Sequence, residues 1–303
     1  MAREADVKLS INQLFELTTI SAIASSQTHQ ATSSQTPCLV PLKPGRGKSP
    51  LFLIHAIGSS ILFYRPLVER LQSDRAIYGI QSAFLKFPTA KIDSVEALAT
   101  RYIQQIQQVQ PEGPYAIGGA SFGGLVAYEV ARQLKLQHQT VEIVILFDRS
   151  APGHYQRANV WRRYRHYWQQ FVALGPSYVV TKLKRRFRTR SRRATGNFDR
   201  DRRQLARKLD RPGQKYLGNA IVERQTRLTT AYRPEAYPGE IVLIRAQQGR
   251  DDGSIREADL GWSQYALSGV RVWDNPGKHM SIFKSPNVDT LAQTLDSLLN
   301  DST

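Results

Sequence analysis

Cross-linking chemistry is nearly absent from this 303-residue chain, which holds a single cysteine, Cys38. One thiol cannot close an intrachain disulfide or supply zinc-cluster spacing, and its scarcity fits a reducing compartment. No apolar run approaches the roughly 20 residues that a membrane-spanning helix needs. The opening residues Met1-Ala2-Arg3-Glu4-Ala5-Asp6 lack the basic-then-apolar plan of a secretory signal. A cytoplasmic location is the resulting expectation. No internal repeat is visible, which argues against solenoids and propellers. What is present, at 41% hydrophobic residues, suffices for one large core and an appendage.

The excess of basic residues is concentrated in one region. The formal net charge is +17. Between His154 and Lys215 there are 19 Lys or Arg against three acids (Asp199, Asp201 and Asp210), a local excess of 16. The remainder is therefore close to neutral. An evenly basic chain would suggest nucleic acid; one basic insert in a neutral body suggests a local surface, and no nucleic-acid recognition motif accompanies this one.

Taken in order, residues 1–24 carry short apolar patches from Val7 to Ile20, and the Ser/Thr/Gln/His tract within residues 25–40 reads as a flexible linker. Pro41 to Gly45 reads as a turn, Pro50 to Ile54 as a buried strand, Phe63 to Leu71 as a helix and Ala76–Ile80 as a second strand. Asp93-Ser94-Val95-Glu96 caps an amphipathic helix through Val109, with Val95, Leu98, Ala99, Tyr102, Ile103 and Ile106 at helical spacing. Apolar strands recur at Tyr115, Val141–Phe147, Glu240–Arg245 and Val270–Trp273, and Val288 to Leu299 reads as a closing helix. This alternation predicts an α/β fold: a mainly parallel sheet with helices on both faces.

One pentapeptide organises the rest. Gly119-Ala120-Ser121-Phe122-Gly123 lies between an apolar strand and a helix-like segment, the strand–turn–helix context of a G-x-S-x-G nucleophile elbow. A glycine-rich turn whose serine merely caps a helix is the plainer alternative, so the partners decide. In a doubly wound sheet, functional residues gather at the C-terminal ends of strands. Three such ends carry Ser121, Asp148 and His279, the α/β-hydrolase order of nucleophile, acid and base. A serine hydroxyl needs an adjacent imidazole to take its proton, and a carboxylate behind the imidazole fixes its tautomer. The candidate oxyanion donors are the backbone N–H groups of Phe122, in the elbow, and Ile57, in the loop after the first strand. His55 precedes the elbow and reads as a brace for that loop. Asp251 and Asp252 rival Asp148 as the acid, but Asp148 directly ends a buried strand whereas Asp251 lies in a polar loop. His29, His138, His154 and His166 show no partner in the sequence.

These residues resemble a known family. Leu42-Lys43-Pro44-Gly45, Pro50 to His55, Tyr78-Gly79-Ile80-Gln81, Gln110 to Gly124, Leu146-Phe147-Asp148 with Ala151-Pro152-Gly153, and Pro276-Gly277-x-His279 are similar to the thioesterase domain that ends nonribosomal-peptide and polyketide assembly lines. The resemblance implies an α/β-hydrolase domain over residues 41–303, with a helical, strongly basic lid insertion at about 154–233. It implies a serine thioesterase that accepts an acyl or peptidyl chain from the phosphopantetheine arm of a carrier protein. The acyl-O-serine is then hydrolysed, or cyclised by an internal nucleophile, without a cofactor of the domain's own. It also selects Asp148 as the acid. Residues 1–24 resemble the C-terminal remnant of a carrier domain, lacking the helix that would bear the phosphopantetheine serine. Two departures stand out: the family's His-Pro or second glycine is replaced in His55-Ala56-Ile57-Gly58, and Arg149 follows the acid where a small residue is usual. Either could reduce activity.

In the insert, Trp161, Tyr164, Tyr167, Trp168 and Phe171 form an aromatic-rich helical face that could cover an acyl chain. The run Lys182 to Arg193 could meet an acidic carrier protein, a phosphate or an anionic membrane surface. Two alternatives share these features: an editing thioesterase that clears stalled acyl groups, and a low-activity hydrolase-fold protein whose basic lid binds an acidic partner.

Overall fold

The computed structural model describes residues 38–46, 49–58, 60–87, 91–154, 212–248 and 257–301. The segment 1–24, most of the expected linker, the aromatic face and basic run of the insert, and Asp251 and Asp252 lie outside the described residues. Among the described residues, no helix is long and apolar enough to cross a membrane.

The described strands are β1 (Leu39–Lys43), β2 (Leu51–Ile54), β3 (Ile77–Ile80), β4 (Tyr115–Ala120), β5 (Val141–Phe147), β6 (Ile241–Ala246) and β7 (Val270–Asn275). They form a seven-stranded sheet in the order β1-β3-β2-β4-β5-β6-β7. All neighbours are parallel except the edge pair β1 and β3. The helices are α1 (Arg65–Val68), α2 (Ala83–Lys86), α3 (Val95–Val109), α4 (Phe122–Leu136), α5 (Pro212–Ala231) and α6 (Asn287–Asp301).

The helices cover both faces because the strands are apolar on both. Phe52 and Ile54 of β2 join the core under α3 and α4, whereas Leu51 and Leu53 join the core under α1 and α6. Such double burial is what turns parallel strands into continuous apolar runs. The sequence-predicted face of α3 is the buried one, Val95, Leu98, Ala99, Tyr102, Ile103 and Ile106. The Ser94 side chain starts that helix by accepting the Ala97 N–H at 3.0 Å.

Two segments differ from expectation. Residues read as a turn from Pro41 form part of β1, which pairs antiparallel to β3 through Leu39–Ile80, Val40–Gly79 and Pro41–Tyr78. Proline is tolerated there because an edge strand leaves one row of backbone groups unpaired. Cys38, Leu39 and Val40 are buried, so the expected linker of residues 25–40 overlaps the sheet at its C-terminal end. The helix expected from Phe63 to Leu71 is a 3-10 turn, Leu62–Tyr64, followed by the single-turn α1 with Pro66 in its first turn. Proline lacks an N–H and is accommodated at helix starts.

The register positions the functional edge. Ile54 lies opposite Gly119 and Ile80, Ala120 opposite Phe147, Phe147 opposite Ile244, and Ala246 opposite Asn275. The parallel strands thus end on one line, and the loops at His55, Ser121, Asp148 and Pro276 leave from the same edge. β2 lies between β3 and β4, where the winding direction reverses, and crevices open at such switch points.

A buried ion pair closes the opposite end of the sheet. Arg75 hydrogen-bonds Glu142 at the start of β5, with side-chain exposures of 2% and 10%, and its Nη1 reaches the second carboxylate oxygen at 2.9 Å. The same guanidinium donates to the Ser49 carbonyl at 3.0 Å and the Leu299 carbonyl at 3.1 Å, tying the C-terminal helix to the sheet. Removing one partner strands a buried charge. Glu142→Ala is expected to lower unfolding free energy by about 3 kcal/mol or more, read from urea midpoints; a loss below about 1 kcal/mol would mean that the pair is solvated.

Candidate active site

The elbow is built by backbone crowding. A Cβ on Gly119 would sit 2.2 Å from the Gly123 carbonyl oxygen, and one on Gly123 would sit 2.4 Å from the Ile54 oxygen and 2.5 Å from that of His55. Only hydrogen fits at either position, so the first turn of α4 lies directly on the end of β2. Ser121 then takes φ 54° and ψ −114°, a strained conformation for a residue with a side chain. Among the described residues, four non-glycine residues have positive φ, and two of them are Ser121 and Asp148. Strain is therefore concentrated at the candidate site.

Asp148 and His279, 131 residues apart in sequence, meet there. His279 Nδ1 lies 2.7 Å from Asp148 Oδ2, and the Ala246 N–H donates to Asp148 Oδ1 at 3.0 Å. The carboxylate is nearly buried (3% exposed) while the imidazole is 38% exposed. A carboxylate accepts, so Nδ1 carries the proton and the Nε2 lone pair is left for a substrate-side proton. Ser121 is placed by its own N–H, 3.3 Å from the Phe147 carbonyl, directly beside Asp148 in sequence. The Arg149 stem lies over Gly124, since a Cβ there would come 2.9 Å from the Arg149 Cβ. The Arg149 carbonyl accepts from Trp262 Nε1 at 2.6 Å.

The histidine loop is held by two asparagines that carry no signal in the sequence. Asn275 Nδ2 donates to the Pro276 carbonyl at 3.0 Å and the Asn287 carbonyl at 3.2 Å, and Asn287 Nδ2 donates to the Ser281 carbonyl at 3.0 Å. Gly277 has φ 100°, and a Cβ on it would meet Asn287 Nδ2 at 2.4 Å. Tyr64 is another such residue. Its hydroxyl donates to the Ile54 carbonyl and accepts the Ala120 N–H, both at 2.9 Å, stitching the two strand ends that carry the 55–58 loop and the elbow. Burial pushes the Tyr64 hydroxyl pKa up, so it remains a neutral donor.

His55 occupies the place expected of a brace. Its Nδ1 bonds the Ala56 carbonyl and its Nε2 the Tyr102 hydroxyl, each at 2.8 Å. A carbonyl only accepts, so Nδ1 is the protonated nitrogen and Nε2 accepts the phenolic proton. Both nitrogens are engaged away from Ser121. Ile57, next but one, is 44% exposed, and Gly58 has φ 89°. His154, which had no visible partner in the sequence, lies 3.2 Å from Glu257.

A family model, the thioesterase domain, matches residues 49–299. The chain belongs to the thioesterase-domain family. It is 25% identical over 296 residues to malpinin synthetase of Mortierella alpina, covering 97% of this chain and 4% of that protein. The chain thus spans only about 4–6% of the length of the first curated relatives that it matches. Among solved structures, the four-domain nonribosomal peptide synthetase holo-AB3403 aligns with a TM-score of 0.67 at 26% identity, covering 96% of this chain and 22% of that one. The NocB thioesterase domain aligns with a TM-score of 0.59 at 24% identity, covering 86% of this chain and 98% of that one, a likeness of fold. The mainly parallel sheet with helices on both faces is accordingly the α/β-hydrolase fold of a thioesterase domain.

The buried brace of this thioesterase domain has a measurable consequence. Burial holds the His55 pKa down from 6.5 to about 4, only partly offset by the Ala56 hydrogen bond. Unfolding releases the ring to its ordinary value, so the unfolded chain binds the extra proton between those limits. Stability is unaffected above pH 6.5, falls as pH drops below it, and levels off once the folded ring also protonates near pH 4. The loss amounts to about 1.4 kcal/mol per pH unit and about 3 kcal/mol in total. Urea unfolding at pH 7, 6 and 5 should show this slope, and His55→Asn should lose one proton's share of it. Equal slopes would place the titration elsewhere.

Proposed function

We propose that this thioesterase domain acts as a serine hydrolase, releasing an acyl or peptidyl chain from the phosphopantetheine arm of a carrier protein through an acyl-O-Ser121 intermediate. The observation that carries the reading is the 2.7 Å bond from His279 to Asp148, at the sheet edge where Ser121 holds its strained elbow. The synthetase relatives, and a solved neighbour named as a four-domain nonribosomal peptide synthetase, support a carrier-bound substrate.

In the acylation step His279 Nε2 removes the Ser121 hydroxyl proton as Oγ attacks the thioester carbonyl carbon. Asp148 stabilises the imidazolium through the Nδ1–H bond. The carbonyl oxygen becomes an oxyanion, received by the N–H groups of Phe122 and Ile57; Phe122 opens α4, whose N-terminal dipole favours negative charge. Collapse breaks the C–S bond, and the thiolate takes the proton from His279. Water, or an amine or hydroxyl of the chain itself, then repeats the sequence on the ester: His279 takes its proton, and Ser121 leaves with that proton restored.

A fluorophosphonate probe should label the protein once, on the peptide containing Ser121, and Ser121→Ala should abolish labelling. Asp148→Asn and His279→Ala should each slow turnover of an acyl thioester by roughly 1,000-fold or more, while Asp251→Asn should leave it within about twofold. Persistent labelling of Ser121→Ala would overturn the assignment.

A further inference from the structure

The oxyanion loop is held by a residue from far along the chain, on the helix that follows the basic insert. Gln225 of α5 is fully buried. Its Oε1 accepts the Gly58 N–H at 2.9 Å and its Nε2 donates to Ser82 Oγ at 3.3 Å. A buried primary amide is costly unless its polar atoms are bonded, so its retention here calls for a reason beyond packing. An apolar side chain would fill the space without placing a polar group there.

The surroundings supply that reason. Gly58 follows Ile57, whose N–H is the second oxyanion donor under the acyl-serine reading. The 57–58 peptide lies in a short exposed turn, with Gly58 at φ 89° and Ile57 44% exposed. Glycine imposes little restraint of its own, so the direction of the loop must be set from outside. Tyr64 fixes the end of β2 below it, His55 holds the Ala56 carbonyl on one side of Ile57, and on the other side the Gln225 side chain accepts the Gly58 N–H. The helix that presents Gln225 is itself docked. The Arg224 guanidinium lies 4.5 Å from the Phe84 ring centroid, and the Tyr232 hydroxyl donates to Glu129 at 2.7 Å. Ile221 and Leu228 are buried in the core. This part of the expected lid range is therefore part of the body.

We infer that Gln225 is a positioning residue for acyl transfer: by accepting the Gly58 N–H it holds the 55–58 turn so that the Ile57 N–H points at the developing oxyanion. The role rests on the acyl-serine reading of the site. It couples the far flank of the insert to the reacting centre through one hydrogen bond.

The test uses the full chain with hexanoyl-N-acetylcysteamine as substrate and an alkyl boronic acid as a tetrahedral mimic of the intermediate. Gln225→Leu should lower kcat by roughly 10- to 100-fold, less than outright loss of an oxyanion donor, with KM within about twofold. Boronic acid affinity should fall in step with kcat/KM, because the mimic needs the same donor. Gln225→Glu keeps an acceptor for Gly58 and should recover part of kcat. Ser82→Ala removes the bond from Gln225 Nε2 to Ser82 Oγ and an N-cap, so it should lower the unfolding midpoint while keeping kcat within about threefold. Full kcat in a folded Gln225→Leu, or a loss of kcat with boronic acid affinity unchanged, would overturn the positioning role while leaving Ser121 in place. Wild-type turnover that survives Ser121→Ala would instead refute the acyl-serine reading, and the positioning role with it.

Discussion

Everything at the functional edge depends on one backbone-to-backbone contact, that between the first turn of α4 and the end of β2. Gly123 sits so close to the Ile54 and His55 carbonyls that a methyl group would overlap both. That approach sets the distance between the elbow and the 55–58 loop. The strain at Ser121 persists because neighbours on both sides over-determine it. The sheet holds Ala120 against Phe147, and Tyr64 ties Ala120 to Ile54.

A division of labour follows among the polar groups. At the candidate site His279 is partly exposed while its partner Asp148 is nearly buried. The groups that hold the edge are buried and locked in one protonation state. His55 is kept neutral by burial and Tyr64 is kept protonated. The brace thus does not respond to pH near neutrality, and the histidine with solvent access is the one bonded to Asp148. Two histidines on the same edge thus differ in burial and in hydrogen-bond partners.

The sequence made part of this legible. Ser121 stood out because G-x-S-x-G combines a steric demand with a chemical one, and both are local. Asp148 and His279 were legible because each follows an apolar strand in hydrolase order. The long helices were readable from their periodicity, as α3 shows. Reading failed where context outweighed local preference: Pro41 looked like a turn residue, yet an edge strand accommodates it, and Pro66 divided what looked like one helix. Tyr64, Asn275 and Gln225 left no local signal. A tyrosine in an apolar segment or a glutamine on a polar-looking helix has no identity until something is docked against it.

The amino-acid sequence by itself determined the alternation of strand and helix, the glycines that permit the elbow, and the placing of Ser121, Asp148 and His279 after apolar segments. Those are properties of short segments, governed by side-chain period and by the absence of a Cβ. Only the tertiary structure decided which histidine is buried and which is partly exposed beside Asp148, and which distant side chains hold the loops. Parallel strands in register bring residues more than a hundred positions apart to one edge, and the helix faces that dock around that edge select the hydrogen-bond partners.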